Sequence, residues 1–244
     1  MYPALETLRP DAASDTPLYL QLVQRLKQAI STGQWRAGDA LPSERTLMEQ
    51  LNISRGTARR ALEILEEEGV ITRTRGSGTF ITPRFTQAPP QLEGFSEMMR
   101  LQGMTAHSEL LRFVHRPARQ EEKALFGATR CEVVEMLRLR KAGAIPIALQ
   151  QAILPASLMP QGEWNDDSLY ERLAQNGHAV TRARQQFRAA VADDEQAKLL
   201  NIAAGAPLLW VLRTGFDERG EGVELTQTWC VDDYYEVVVE LRRP

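Results

Sequence analysis

The chain has 244 residues, of which 43% are hydrophobic and 25% charged, with a formal net charge of −3. That length suits two modest domains able to bury real cores, and no apolar run approaches the ~18 residues needed to span a bilayer. Two distant cysteines, Cys131 and Cys230, argue against a disulfide framework, and the opening MYPALETLRPDAASDTP lacks the basic-then-apolar order of a signal peptide, so the cytoplasm is the expected compartment.

After an N-terminal tail of residues 1–15, Thr16-Pro17 opens a first helix, with Thr16 as candidate cap and Pro17 where no backbone donor is needed. Leu18, Leu22, Leu26 and Ile30 recur every four residues and form one apolar stripe with Val23 and Ala29. Gly33 stops it. A connector, QWRAGDALP, follows, with Trp35 and Leu41 expected to seal its underside. Ser43 caps a second helix through Leu51, and Glu44 occupies a first turn where the helix dipole favours an anion. Asn52-Ile53-Ser54 is a tight turn whose serine caps a third helix. Ala58, Ala61, Leu62 and Leu65 face inward along that helix, while Arg55 and Arg59 share another face beside Arg60. Gly69 ends it. Ile71–Thr74 and Thr79–Thr82 are β-rich, with Arg75-Gly76-Ser77-Gly78 as the loop of a hairpin.

This order of elements has a chemical meaning. A capped helix with basic and hydroxyl residues at its start can enter the major groove, where an arginine fork matches the two acceptors of guanine. Glycines at a hairpin tip let backbone approach a sugar-phosphate strand. The charge divides accordingly: residues 16–84 carry +3, the first fifteen −2 and the remainder −4. Taken alone, the arginine face is as simply explained as a solvated one, offset by Glu63 and Glu66–Glu68.

The run LPSERTLMEQLNISRGTARRALEILEEEGVITRTRGSGTFI resembles the winged helix-turn-helix of the GntR family of bacterial regulators, with agreement from Pro17 to Thr82. The resemblance implies that Arg45 reaches DNA from the second helix. It also implies that Ser54, Arg55, Gly56, Thr57 and Arg59 present the recognition end, with Arg75 and Gly76 at the wing. Ser43 and Arg60 are assigned to capping and to phosphate or solvent.

Residues 83–91, with PRFTQAPP, read as a proline-stiffened linker, and residues 92–244 as a separate domain. Strands are predicted at 108–115, 133–141, 147–154, 181–192, 208–217, 224–231 and 235–241, and short helices at 95–101, 120–126, 168–176 and 193–200. Ser168 and Asp193 are candidate caps. Turns at Ala142–Ala144 and Arg219–Gly222 mark hairpins, so the expected fold is α+β, an antiparallel sheet with helices on one side. In EMLRLRK, strand alternation puts Arg138 and Arg140 on one face, about 7 Å apart, where they could hold one phosphate or carboxylate or simply face solvent. Phe95-Ser96 at a helix start offers free N–H groups.

LEGFSEMMRLQGMTAHSELL, VVEMLRLRKAGAIPIALQQAILP and DDYYEV resemble the UTRA effector domain of the HutC branch of GntR regulators, similar in fold to chorismate lyase. The resemblance implies a small anionic effector held by Phe95, Ser96, Arg138 and Arg140, with Ser168 and Glu224 near its other end. Two departures stand out: Gln150 where relatives commonly carry glutamate, and Cys230 where they carry tyrosine. A neutral amide both donates and accepts, so the choice of ligand hydroxyls does not carry over.

Enzyme chemistry is not expected. His107, His115 and His178 are scattered without metal-ligand spacing, and no nucleophile elbow, phosphate-cradling loop or acid/base pair occurs. No catalytic residue, metal or cofactor is assigned. A constitutive dimeric DNA binder, an enzyme of chorismate-lyase-like fold and an all-helical GntR branch are the alternatives. The expected partners are double-stranded DNA with an inverted repeat, a second copy of the chain and a small anionic effector such as a phosphorylated sugar, sugar–amine conjugate or carboxylate; no membrane is involved. Ligand-released repression is the expected mode.

Overall fold

The computed structural model describes residues 5–74, 77–83, 85–87, 92–101, 106–127, 129–159 and 168–237. The chain divides into two compact units, Met1–Arg84 with Gly143–Ile145, and Phe85–Ala142 with Pro146–Pro244.

In the first unit, α1 (Leu18–Ser31), α2 (Glu44–Leu51) and α3 (Arg55–Glu67) precede β1 (Ile71–Thr74) and β2 (Gly78–Ile81), an antiparallel hairpin registered Ile71 to Ile81. The leucine spacing of α1 places Leu22 and Leu26 in a core with Leu47, Leu62, Leu65 and Trp35. Ser43 and Ser54 cap α2 and α3 by accepting from the N–H groups of Thr46 and Thr57, each at 3.1 Å. Between those helices Asn52 takes a left-handed conformation at φ 55°, which its short polar side chain tolerates. The connector 34–42 joins the hairpin: Leu41 donates to the Thr79 carbonyl at 2.8 Å and Ile81 to that of Asp39 at 2.9 Å.

Two expectations for the start of the chain are corrected. The segment before α1 is structured, with Leu5–Leu8 forming a 3-10 turn whose Leu8 is fully buried in the same core. Thr16 does not cap α1; the cap position is Pro17, without a side-chain bond. The polar demand there is met by Gln21, whose amide donates to the carbonyls of Asp11 and Thr16 at 3.0 and 2.7 Å.

The second unit is built on a six-stranded sheet in the order β4-β5-β6-β9-β8-β7. Its strands are β4 (Ala106–Pro117), β5 (Glu132–Ala142), β6 (Ile145–Pro155), β7 (Arg182–Val191), β8 (Pro207–Phe216) and β9 (Gly222–Val231). Its helices are α4 (Phe95–Leu101), α5 (Gln120–Phe126), α6 (Leu169–Gln175) and α7 (Asp194–Leu200). Ser168 and Asp193 occupy the cap positions of α6 and α7, as the sequence predicts.

Helices cover both faces of this sheet rather than one. Leu169 and Leu173 of α6 pack with Val134, Met136, Ala152 and Leu154. Ala197 and Leu200 of α7 pack with Leu139 and Leu149, residues of the opposite parity on the same two strands. The reason is legible afterwards: β5 carries apolar residues on both parities, Val134 and Met136 on one and Val133, Leu137 and Leu139 on the other, the pattern of a strand covered on both sides.

The supposed linker is also partly strand. β3 (Phe85–Gln87) pairs in parallel with β10 (Tyr235–Val237), Phe85 opposite Tyr235.

Candidate functional site

Two sets of residues carry the candidate chemistry, one in each unit. In the first, α3 presents its capped N-terminus with the basic residues in solvent. Arg55 keeps 79% of its side chain exposed and lies 3.7 Å from Glu44, while Arg45 keeps 86% and pairs with Glu49 at 2.8 Å. Arg59 donates to Glu63 at 2.9 Å, and Arg60 approaches the same carboxylate at 3.4 Å. The bond to Glu63 raises the pKa of Arg59, and the bond from Arg59 lowers that of Glu63. Pairs so exposed contribute little to stability and exchange readily, so a phosphate oxygen can take the place of a glutamate.

Gly56 sits in the first turn of α3, where glycine is the poorest choice short of proline. A Cβ there would meet only Ser54 Oγ at an ordinary 3.8 Å. Nothing inside the fold therefore demands glycine at that position. Arg75 and Gly76, expected at the wing tip, lie outside the described residues.

In the second unit a cavity of about 70 Å³ opens on one face of the sheet, the space of roughly five waters and suited to part of a small metabolite. Its floor includes Gln150 of β6, Glu224 and Thr228 of β9 and Arg213 of β8, while Phe95 and Met98 of α4 and Tyr235 of β10 border it from other elements. Of the sequence-predicted residues, Phe95, Gln150 and Glu224 share this wall.

Arg138 and Arg140, 1% and 4% exposed, are not among the lining residues and connect to the cavity through Gln150. They converge on one atom: Arg138 Nη2 donates to Gln150 Oε1 at 2.7 Å, and Arg140 donates to the same oxygen through Nε at 3.1 Å and through Nη2. Arg140 also donates to Ser108 Oγ and lies over the Phe95 ring at 4.5 Å. Gln150 completes its contacts by donating Nε2 to Thr228 Oγ1 at 3.3 Å. The two guanidinium groups are thus gathered on a residue of the cavity wall, an amide that adds no charge of its own.

Ser96 and Ser168 are placed differently from the expectation. Ser96 is the second residue of α4, and the Ser168 hydroxyl accepts from the Glu171 N–H at 3.4 Å as the α6 cap; neither is among the residues lining the cavity. From α6 it is Tyr170 that matters. Its hydroxyl donates to Glu224 Oε2 at 2.8 Å and accepts from Arg213 Nη1 at 3.0 Å. Arg213 Nη1 also donates to the Glu93 carbonyl at 2.9 Å, and Thr226 donates to Glu224 Oε1 at 2.6 Å. Burial, helped by Glu224, holds the proton on Tyr170. Burial likewise pushes the Cys230 thiol up to about 12, making it an inert wall residue.

Sequence reasoning missed Arg213, Tyr170 and Gln185, a residue of β7 that also lines the cavity. Arg213 had a usable signal, a lone cation within the apolar run LLWVLRTGF, where a charge must find a reason to stay. Gln185 and Tyr170 had none, because their place depends on the strand order.

Comparison with known proteins agrees with this two-part layout. The family model described as bacterial regulatory proteins, gntR family, matches residues 18–81, and the UTRA domain model matches residues 101–236. The chain is 34% identical to the HTH-type transcriptional repressor NagR of Bacillus subtilis, covering 92% of this chain and 95% of that one. It is 29% identical to the mannosyl-D-glycerate transport/metabolism system repressor MngR of Escherichia coli, over 93% and 97% of the two chains. The solved structure of PhnF from Mycobacterium smegmatis shares the fold, with a TM-score of 0.61, 24% identity and coverage of 90% and 99%. No helix among the described residues is long and apolar enough to cross a membrane.

Proposed function

Because the chain belongs to the GntR family of bacterial regulatory proteins and carries a UTRA domain, making it a DNA-binding transcription regulator, we propose that it is a cytoplasmic repressor released from its operator by a small anionic metabolite. The observation that carries the effector half is the convergence of Arg138 and Arg140 on Oε1 of Gln150, a residue of the cavity wall. Guanidinium groups are the natural holders of phosphate and carboxylate, since their N–H groups match two oxygens at once. Residues fixed before the ligand arrives lose little freedom on binding it. The names of relatives, such as the mannosyl-D-glycerate transport/metabolism system repressor, support a sugar-derived anion and the repressor sense.

The DNA half acts through α3. Ser54, Arg55, Gly56, Thr57 and Arg59 enter the major groove, with Arg45 reaching a flanking phosphate and the wing residues Arg75 and Gly76 the neighbouring strand. One such helix gives few contacts, so the working unit is a homodimer on an inverted repeat. The effector favours an arrangement of the two recognition helices that no longer fits both half-sites, through a coupling of about 1–3 kcal/mol typical of such switches.

The test is operator binding by fluorescence anisotropy, on a duplex selected from random sequence, with phosphorylated and carboxylated metabolites added in turn. Release by at least one anion, lost in Arg138→Ala, is the expected result. Affinity for the operator that no anion alters would overturn the effector reading and leave a constitutive DNA binder.

A further inference from the structure

One polar atom on the cavity wall is left unused by the fold. Gln185 of β7 lines the cavity and stands opposite Arg213 in the β7–β8 register. Its Oε1 is buried and meets no hydrogen-bond donor among the described residues. An amide oxygen stripped of water and given no donor weakens the folded state, so its retention calls for a donor from outside the fold.

The register partner does not supply one. Arg213 Nη1 is tied to the Glu93 carbonyl at 2.9 Å and the Tyr170 hydroxyl at 3.0 Å. Tyr170 is held in turn by Glu224, whose other oxygen is occupied by Thr226. The surroundings also disfavour a second anion. Two glutamates, Glu93 and Glu224, border this part of the cavity against one arginine.

Resting on the reading of the cavity as an effector site, we propose that Gln185 selects the ligand by accepting a hydrogen bond from an O–H or N–H at the end remote from Arg138 and Arg140. The ligand class is therefore two-ended: a phosphate or carboxylate at one end and a hydroxyl or amine at the other. Sheet geometry bounds its length. Gln150 on β6 and Gln185 on β7 are three strand spacings apart in the order β6-β9-β8-β7 and two residues out of register, since Gln150 is level with Phe187, about 16 Å between backbones, less the inward reach of both side chains.

The experiment is calorimetric titration of the full-length protein with inorganic phosphate and with alkyl phosphates of about two to eight carbons. These end in methyl, hydroxyl or amine, so that the two kinds of donor are separated. At the matching length, the donor-ended compounds bind the wild type about tenfold more tightly than the methyl-ended one, as one buried hydrogen bond predicts. In Gln185→Met the advantage falls to nothing, and the unliganded melting temperature stays level or rises because the orphan oxygen is gone. Gln185→Glu keeps an acceptor, adds charge and shifts preference from hydroxyl to amine; it serves as an independent check should the methionine variant fold poorly.

Absence of any donor advantage in the wild type, or its survival in Gln185→Met, overturns the proposal. The two levels separate cleanly. If inorganic phosphate and every alkyl phosphate bind Arg138→Met as well as the wild type, the anion site itself is wrong and both readings fall. If phosphates bind only with Arg138 present but the far end makes no difference, only the role of Gln185 is refuted.

Discussion

The arginines of the two units live under opposite conditions. In the first unit Arg45 and Arg55 leave 86% and 79% of their side chains in solvent. In the second, Arg138 and Arg140 are 1% and 4% exposed and locked onto a shared amide. Exposed guanidinium groups are mobile, hydrated and paired with glutamates they can give up, which suits a surface that must sample many duplex sequences and slide among phosphates. Interior ones are aimed in advance, which suits discrimination among small anions. On the proposed function, the same residue type is a reader where it is loose and a holder where it is fixed.

The comparison can be broken most severely from the interior. Arg138→Ala removes a charged donor held on Gln150 of the cavity wall and is expected to weaken anion binding about a hundredfold, as the loss of charge-assisted hydrogen bonds predicts. Operator affinity without ligand should stay within about twofold; a parallel fall would mean that the buried arginines serve the fold as a whole. On the exterior, Arg55→Ala should weaken operator binding about 10- to 100-fold and relax base preference at one position, leaving the melting temperature nearly unchanged. A full-affinity variant would displace α3 from the groove.

Gly56→Ala sharpens the contrast because stability and function should move in opposite directions. Alanine is favoured over glycine in a helix by about 0.5–1 kcal/mol, and nothing in the fold obstructs it. Denaturant midpoints should therefore rise while operator affinity falls; a rise in both would show that no partner comes close to that turn. The smallest effect belongs to Glu63→Gln, which frees Arg59 and Arg60 from an exposed carboxylate. Operator affinity should improve by no more than about threefold, with a steeper dependence on salt, since phosphates then meet an unopposed charge.

How much of this was legible in the sequence follows the reach of the signals. Ser43, Ser54 and the leucines of α1 act within one or two turns, and the structure puts them where local rules place them. Phe95–Leu101 and Gln120–Phe126 were readable as helices for the same reason. What escaped depends on residues far apart in the chain. Nothing local in Phe85–Gln87 announces a partner at Tyr235, and nothing in RARQQFRAA distinguishes Gln185 from its solvent-facing neighbours until β7 is set next to β8. Leu8 looked like part of a tail because a single leucine has no periodicity to betray it.

The pairing of Phe85 with Tyr235 has a consequence in time. Closing so long a stretch of chain is entropically expensive and waits on the synthesis of Tyr235–Val237. The winged unit, assembled from neighbours in sequence, can be complete on the ribosome well before that strand emerges. During this interval a nascent chain would already present a basic helix to DNA while its ligand cavity still lacked the wall that Tyr235 provides. On the proposed function, synthesis therefore makes the reader before the sensor.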